Sequence, residues 1–162
     1  MLCRNAMVTD IISAGPDQTI RDALQLFEKH RVRALPIVDA AGKLLGLLSF
    51  EGMLSKLLPA ALTVDKHDLN LMDAHLRLDY VVNSTPDVAK HLRDLLPVAL
   101  GELMNRKVQV THPDTSLWEG IRFLVQHGSP IPVVEEESGK LLGLLSVQSV
   151  TARLLEVVGE QG

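Results

Sequence analysis

The stretch Lys43-Leu-Leu-Gly-Leu-Leu-Ser49 returns unchanged as Lys140-Leu-Leu-Gly-Leu-Leu-Ser146, 97 residues on. The same offset pairs Met7 with Met104, Pro16 with Pro113, Asp17 with Asp114 and His30 with His127. Pro36 meets Pro132 at an offset of 96, so the second copy drops one residue before its proline and regains it in a longer turn before Gly139. Seven identical residues in a row, with flanking matches at the right spacing, mark a duplicated unit of about 50 residues.

Each copy carries its own local signals. Ile11-Ile12-Ser13 and Val108-Gln109-Val110 are short β-rich runs with a proline two or three residues later, so each is expected to open its copy as a strand. Thr19 with Asp22, and Ser116 with Glu119, have the spacing of a helix-starting capping box. Ile20, Ala23, Leu24 and Phe27 fall on one helical face, and Leu117, Gly120, Ile121 and Leu124 repeat that spacing. Phe27 and Trp118 are both expected to pack. The helical pattern stops near His30 and His127, and apolar runs follow at Leu35 to Val38 and Ile131 to Val134. A glycine-containing turn then leads into Leu44 to Leu48 and Leu141 to Leu145, whose unbroken apolar character predicts strands buried on both faces. A last helix begins near Ser49 and Ser146.

The predicted class is therefore mixed α/β (α+β), a β-α-β-β-α unit written twice. A unit of about 50 residues sits near the lower limit for an independent core. The two copies are expected to pack as a pseudo-twofold pair with a cleft between them.

Composition narrows the function. The chain has 162 residues, long enough to bury roughly 70% of its unfolded surface without disulfides or metals. It is 46% hydrophobic but only 3% aromatic, so the core must be built from Leu, Val, Ile and Ala. Sixteen basic against 20 acidic residues give a net charge of -4, which with so few aromatics argues against nonspecific nucleic-acid binding. The lone Cys3 excludes an internal disulfide framework, fits a reducing compartment and is expected in a frayed terminus. No apolar run approaches the ~18 residues of a membrane span, and residues 1–7 lack a signal-peptide core. A cytoplasmic protein with no membrane partner is expected.

His30-Arg-Val-Arg-Ala-Leu-Pro-Ile-Val-Asp39, followed by Gly42 and then Gly46-Leu-Leu-Ser49, resembles a cystathionine β-synthase (CBS) domain. The resemblance divides the chain into CBS domain 1 at residues 1–58, a helical segment at 59–99 and CBS domain 2 at 100–162. Such a tandem pair is a Bateman module. The resemblance implies regulation rather than catalysis: binding of AMP, ADP, ATP or S-adenosylmethionine in the inter-domain cleft, a homodimer, and an unidentified protein partner that reads the conformational shift. No cofactor is required, and no catalytic residue is assigned. The alternative is an interaction module that dimerises without a ligand.

The ligand-facing residues implied are Ser13, Pro36, Ile37, Ser49 and Gly52 in the first copy, with His30, Arg31 and Arg33 as a basic edge for phosphate. The second copy supplies Val110, Ile131, Pro132, Val133, Ser146 and Ser149. Ser49 and Ser146 stand where a strand gives way to a helix, a place whose exposed N–H groups and dipole favour an anion. Two departures count against tight binding. Family members commonly place an aspartate three residues after that serine, to hold the ribose diol; here the positions hold Gly52 and Ser149. A hydrogen bond to a charged group contributes roughly 1.5–3 kcal/mol. Its loss moves a micromolar site to tens or hundreds of micromolar.

The segment between the copies reads as helical. Thr85-Pro86-Asp87 is a helix start, Val88, Leu92, Leu95 and Leu96 form an apolar stripe, and Pro97 interrupts it before a short helix within Val98 to Met104. His67, Asp68, Asp73, His75 and Asp79 are metal-ligand types, but their spacing fits no standard site and no metal is assigned.

Overall fold

In the computed structural model, residues 1–56 and 85–161 are described. Among them lie α1 (Ile20–His30), β1 (Ala34–Val38), β2 (Leu44–Ser49) and α2 (Phe50–Ser55). These are followed by α3 (Thr85–Leu95), α4 (Leu100–Leu103), α5 (Leu117–His127), β3 (Ile131–Val134), β4 (Leu141–Leu145) and α6 (Val147–Gln161). The expected α+β architecture is present. β1 and β2 pair antiparallel from Ala34↔Ser49 to Val38↔Leu44, with a bulge at Ile37/Val38. β3 and β4 repeat this from Ile131↔Leu145 to Val134↔Leu141, with a bulge at Val133/Val134. Gly42 and Gly139 take φ of 85° and 73° in the connecting turns, a conformation that glycine adopts without a Cβ penalty.

The opening strands shrink to single residues. Ala14 forms one parallel bridge with Ile37, and Thr111 forms its mate with Val133. The Ala14 N–H donates to the Pro36 carbonyl at 3.0 Å and its carbonyl accepts from Val38 N–H at 2.9 Å. Thr111 does the same with Pro132 and Val134, both at 2.9 Å. The bulge and Pro16 or Pro113 just downstream end the ladder, so Ile11–Ser13 and Val108–Val110 do not form paired strands.

The two copies are joined by a reciprocal exchange. Residues Cys3 to Val8 lie against the second repeat, and Leu100 to Asn105, their equivalents 97 positions on, lie against the first. Cys3 N–H donates to Thr115 O, and Leu100 N–H donates to Gln18 O, both at 2.8 Å. Val8 bridges β4 through Leu144, and Asn105 bridges β2 through Leu47, each by a pair of backbone hydrogen bonds of 2.8–3.0 Å. At the pseudo-twofold centre Lys43 and Lys140 form an antiparallel bridge, with Leu44 N–H to Gly139 O at 3.1 Å and Leu141 N–H to Gly42 O at 3.0 Å.

The exchange explains the shared sequence. A Cβ on Gly46 would lie 2.8 Å from both Asn105 O and Met104 Sδ; on Gly143 it would lie 2.8 Å from Met7 Sδ and 2.9 Å from Val8 O. The glycine in each Leu-Leu-Gly-Leu-Leu run is thus the seat for the other copy's incoming segment. Each core is completed from the opposite repeat. Ile20, Phe27, Leu35, Ile37, Leu48 and Met53 pack with Leu100 and Met104. Leu117, Leu124, Ile131, Val133, Leu145 and Val150 pack with Cys3 and Ala6.

Four expectations need correction or limit. Cys3 is fully buried rather than frayed. Burial pushes its thiol up from its ordinary value of 9.0. Trp118 is 80% exposed, while Phe27 is buried. The Thr19–Asp22 capping box forms, but Ser116 makes no side-chain cap, and Glu119 instead pairs with Arg122. The metal-ligand types from His67 to Asp79 lie outside the described residues. Within the described part of the connecting segment, Leu95, Leu96 and Val98 pack against the first core.

Candidate functional site

The site is built where β1 starts and β2 ends. Helix α1 stops because Arg31 takes the left-handed conformation at φ 55°, its N–H donating to Phe27 O at 3.0 Å. The chain then turns through Val32 and Arg33 into β1. Ala34 pairs with Ser49 at the far end of the hairpin, and the Phe50 N–H donates to the Arg33 carbonyl at 2.7 Å. Phe50 packs edge-on against Phe27, with centroids 5.3 Å apart at 75°. These contacts bring His30, Arg31 and Arg33, all exposed, to the same end of the repeat as Ser49 and Gly52. Pro36 and Ile37 lie buried in β1 behind them.

Ser49 is the N-cap of α2, its hydroxyl accepting from Gly52 N–H at 2.9 Å. A Cβ on Gly52 would lie 2.7 Å from that hydroxyl, so a side chain here needs a small shift of the Ser49 hydroxyl, as Ser146 makes over Ser149.

The second repeat reaches the same place with different chemistry. Gly128 stands where Arg31 stands, with φ 87°, and Ser129 where Arg33 stands. The Val147 N–H donates to Ser129 Oγ at 3.3 Å. Ser146 and Ser149 satisfy each other: Ser149 N–H donates to Ser146 Oγ at 3.0 Å, Ser146 N–H donates to Ser149 Oγ at 3.0 Å, and Ser149 Oγ donates to Ser146 O at 3.1 Å. Ile131, Pro132 and Val133 are buried, and Val110 is partly buried with only an apolar side chain to offer.

Ser13 is set apart from this group. It lines an open surface depression of about 440 Å3 at the Val38 end of β1, with residues 14–18 and 38–40. Among the described residues it is lined by the first repeat alone, not by both copies as a shared cleft requires. Sequence reasoning did not find it, although the contrast between Gly15 and His112 was the available signal. No group of three metal-ligating side chains occurs among the described residues, and no helix there is long and apolar enough to cross a membrane.

The family model for the CBS domain matches residues 3–59 and again 100–156, more than half of the chain. The chain belongs to the CBS domain family. An uncharacterized protein of Methanocaldococcus jannaschii, MJ1426, is 26% identical over 152 residues, covering 90% of this chain and 86% of its own length. Inosine-5'-monophosphate dehydrogenase of Halobacterium salinarum is 40% identical over 53 residues, but the match spans 33% of this chain and only 11% of that enzyme. Among solved structures, the CBS-pair protein CBSX2 from Arabidopsis thaliana superposes with a TM-score of 0.71 at 23% identity, covering 96% of this chain and 95% of that one. CBSX2 has also been solved in complex with AMP, at a TM-score of 0.69, 22% identity and coverage of 96% and 97%. The CBS domain pair of MJ0100, solved with 5'-methylthioadenosine and S-adenosyl-L-methionine, gives 0.61 at 20% identity and covers 100% of this chain and 98% of that one. These likenesses establish the CBS-pair fold.

Proposed function

We propose that this CBS pair is a regulatory module that binds an adenosine-containing ligand, with the phosphate taken by the Arg31 end of the first repeat. The observation that carries the reading is Arg31 itself. A non-glycine residue in the left-handed region costs roughly 1–2 kcal/mol. The second repeat leaves its helix differently, through Gly128 at φ 87° and ψ 172°, and is one residue shorter there. Strain retained at an exposed arginine points to use of the side chain there. Arg31 and Arg33 offer planar donors suited to phosphate, at the same end of the repeat as Ser49.

The AMP complex of CBSX2 and the S-adenosyl-L-methionine complex of MJ0100 support the ligand class. With the Ser146 and Ser149 hydroxyls committed to each other and Gly128 and Ser129 in place of Arg31 and Arg33, the second repeat is the weaker partner, and one ligand per chain is expected. A ligand that touches both repeats favours one relative arrangement, and a partner protein reads the resulting surface. Trp118, Val125, Leu155 and Val158, exposed on α5 and α6, support pairing with a second copy.

Isothermal calorimetry with AMP, ADP, ATP and S-adenosylmethionine tests the reading. Dissociation constants in the tens to hundreds of micromolar are expected, roughly 5–6 kcal/mol of binding free energy. Absence of heat at millimolar concentrations of all four overturns it. The second reading, an interaction module without a ligand, is favoured by Gly52 and the closed Ser146–Ser149 pair, and that same absence would select it.

A further inference from the structure

The repeats differ most at the Val38 end of β1, the end of the strand opposite Ser49. In the first repeat this place is the 440 Å3 depression. In the second it is filled from within. His112, the mate of Gly15, donates from Nδ1–H to the Val134 carbonyl at 3.0 Å; a carbonyl can only accept, which fixes the proton on Nδ1. Asp114, the mate of Asp17, is ion-paired with Arg4. The mate of Arg4 is Gly101. Both N–H-bearing side chains that complete the second groove are therefore glycines in the first.

The backbone does not explain Gly15. Its φ lies outside the left-handed region. A Cβ there would meet nothing closer than Gln18 Oε1 at 3.9 Å and Val38 O at 4.0 Å. The space is open to a side chain, and the chain leaves it empty. The lining is mixed: Gln18, whose Oε1 accepts from Gly15 N–H at 2.7 Å, and Ser13 can donate, whereas the Val38 carbonyl and two carboxylates only accept. Val38 O faces the space that its mate Val134 O shares with the His112 ring. Asp17 and Asp39 line the same depression, and neither has an ion-pair partner among the described residues. Asp39 accepts from Ala41 N–H and Lys43 N–H through Oδ1 alone, both at 2.9 Å.

We propose that this first-repeat groove binds a small planar N–H cation, an imidazolium or guanidinium group, which donates to the Val38 carbonyl and is neutralised by Asp17 and Asp39. The cation supplies from solution what His112 and Arg4 supply within the second repeat. The site lies at the other end of β1 from Ser49 and Arg31 and stands independently of the adenosine reading.

The test is amide chemical-shift titration of the full chain with methylguanidinium, with imidazole held below its pKa, and with methylurea as the neutral isostere. Methylguanidinium and imidazolium are expected to give saturable shifts at Gly15, Gln18, Asp39 and Ala40, with millimolar dissociation constants fitting their few atoms. Methylurea should bind at least about tenfold more weakly. Gly15→His, which installs the second repeat's own ring, should abolish the response, and Asp17→Asn should weaken it. Absence of saturable shifts with both cations, an equal response to methylurea, or full binding by Gly15→His overturns the proposal.

Discussion

Helix α1 closes on Arg31 at φ 55°, whereas α5 closes on Gly128 at φ 87°. Ser49 caps α2 over a bare Gly52, whereas Ser146 and Ser149 lock together at the start of α6. Gly15 leaves a groove that His112 fills in the other copy. Against these differences stands a scaffold repeated down to single hydrogen bonds, such as Arg4 N–H to Pro113 O at 3.1 Å and Gly101 N–H to Pro16 O at 3.0 Å. The contrast separates two demands on a duplicated chain. Contacts that join the copies must be kept in both, because each copy's segment closes the other's core. Positions facing outward are under no such constraint, and there the first repeat is open, basic at the Arg31 end and acidic at the Gly15 end, while the second is closed and satisfied.

The largest effect is expected where the shared scaffold is broken. Valine at Gly46 or Gly143 would place side-chain atoms on a backbone carbonyl and a methionine sulfur of the incoming segment. Each substitution should cost about 3 kcal/mol or more, at the upper end of overpacking effects because part of the obstacle is backbone. Urea denaturation checks this. Similar losses at both sites are expected from a symmetric exchange, and a loss at only one would show the two junctions to be unequal.

A smaller effect of opposite sign sharpens the difference between the repeats. Arg31→Gly should stabilise the chain by about 1 kcal/mol, by relieving the left-handed conformation, while weakening the binding of nucleotide phosphates in calorimetry. Gain of stability without loss of binding would remove Arg31 from the site.

The smallest effect concerns Cys3, whose counterpart in the first core is Leu100. Burial raises its thiol pKa above 9.0, so the unfolded chain ionises first as pH rises. The stability contribution is complete below 9.0 and is lost as pH climbs from there through the raised value. Cys3→Ala should flatten that alkaline decline in denaturation midpoints, and an unchanged slope would assign it to other groups.

Much of this was legible in the residues. The duplication, the β1–β2 and β3–β4 hairpins, the Thr19–Asp22 capping box and the ends of α1 and α5 follow from spacing, because they are set by contacts within a few residues. The exchange was not legible. Met7 and Met104 match at the repeat offset, but a match at equal spacing is silent on whether each methionine covers its own copy or the other. Ser116 and Glu119 have capping-box spacing, yet Arg122 one turn on competes for the carboxylate at the exposed surface. Trp118 follows Leu117 by about 100° around α5, off the inward stripe of Leu117, Gly120 and Leu124, and its exposure agrees with that rotation. The grouping of Arg31, Arg33 and Ser49 at one end needed the hairpin register, which no local signal supplies.

The claim on which the rest depends is that residues 3–8 complete the second repeat's core. Cys3 Sγ lies 3.7 Å from Thr111 Oγ1 across that junction, so Thr111→Cys should pair with the native Cys3. Refolding the variant under oxidising conditions and mapping its peptides by mass should recover the Cys3-to-position-111 disulfide within single chains. A folded variant that keeps both thiols, or forms the link only between chains, would contradict the exchange.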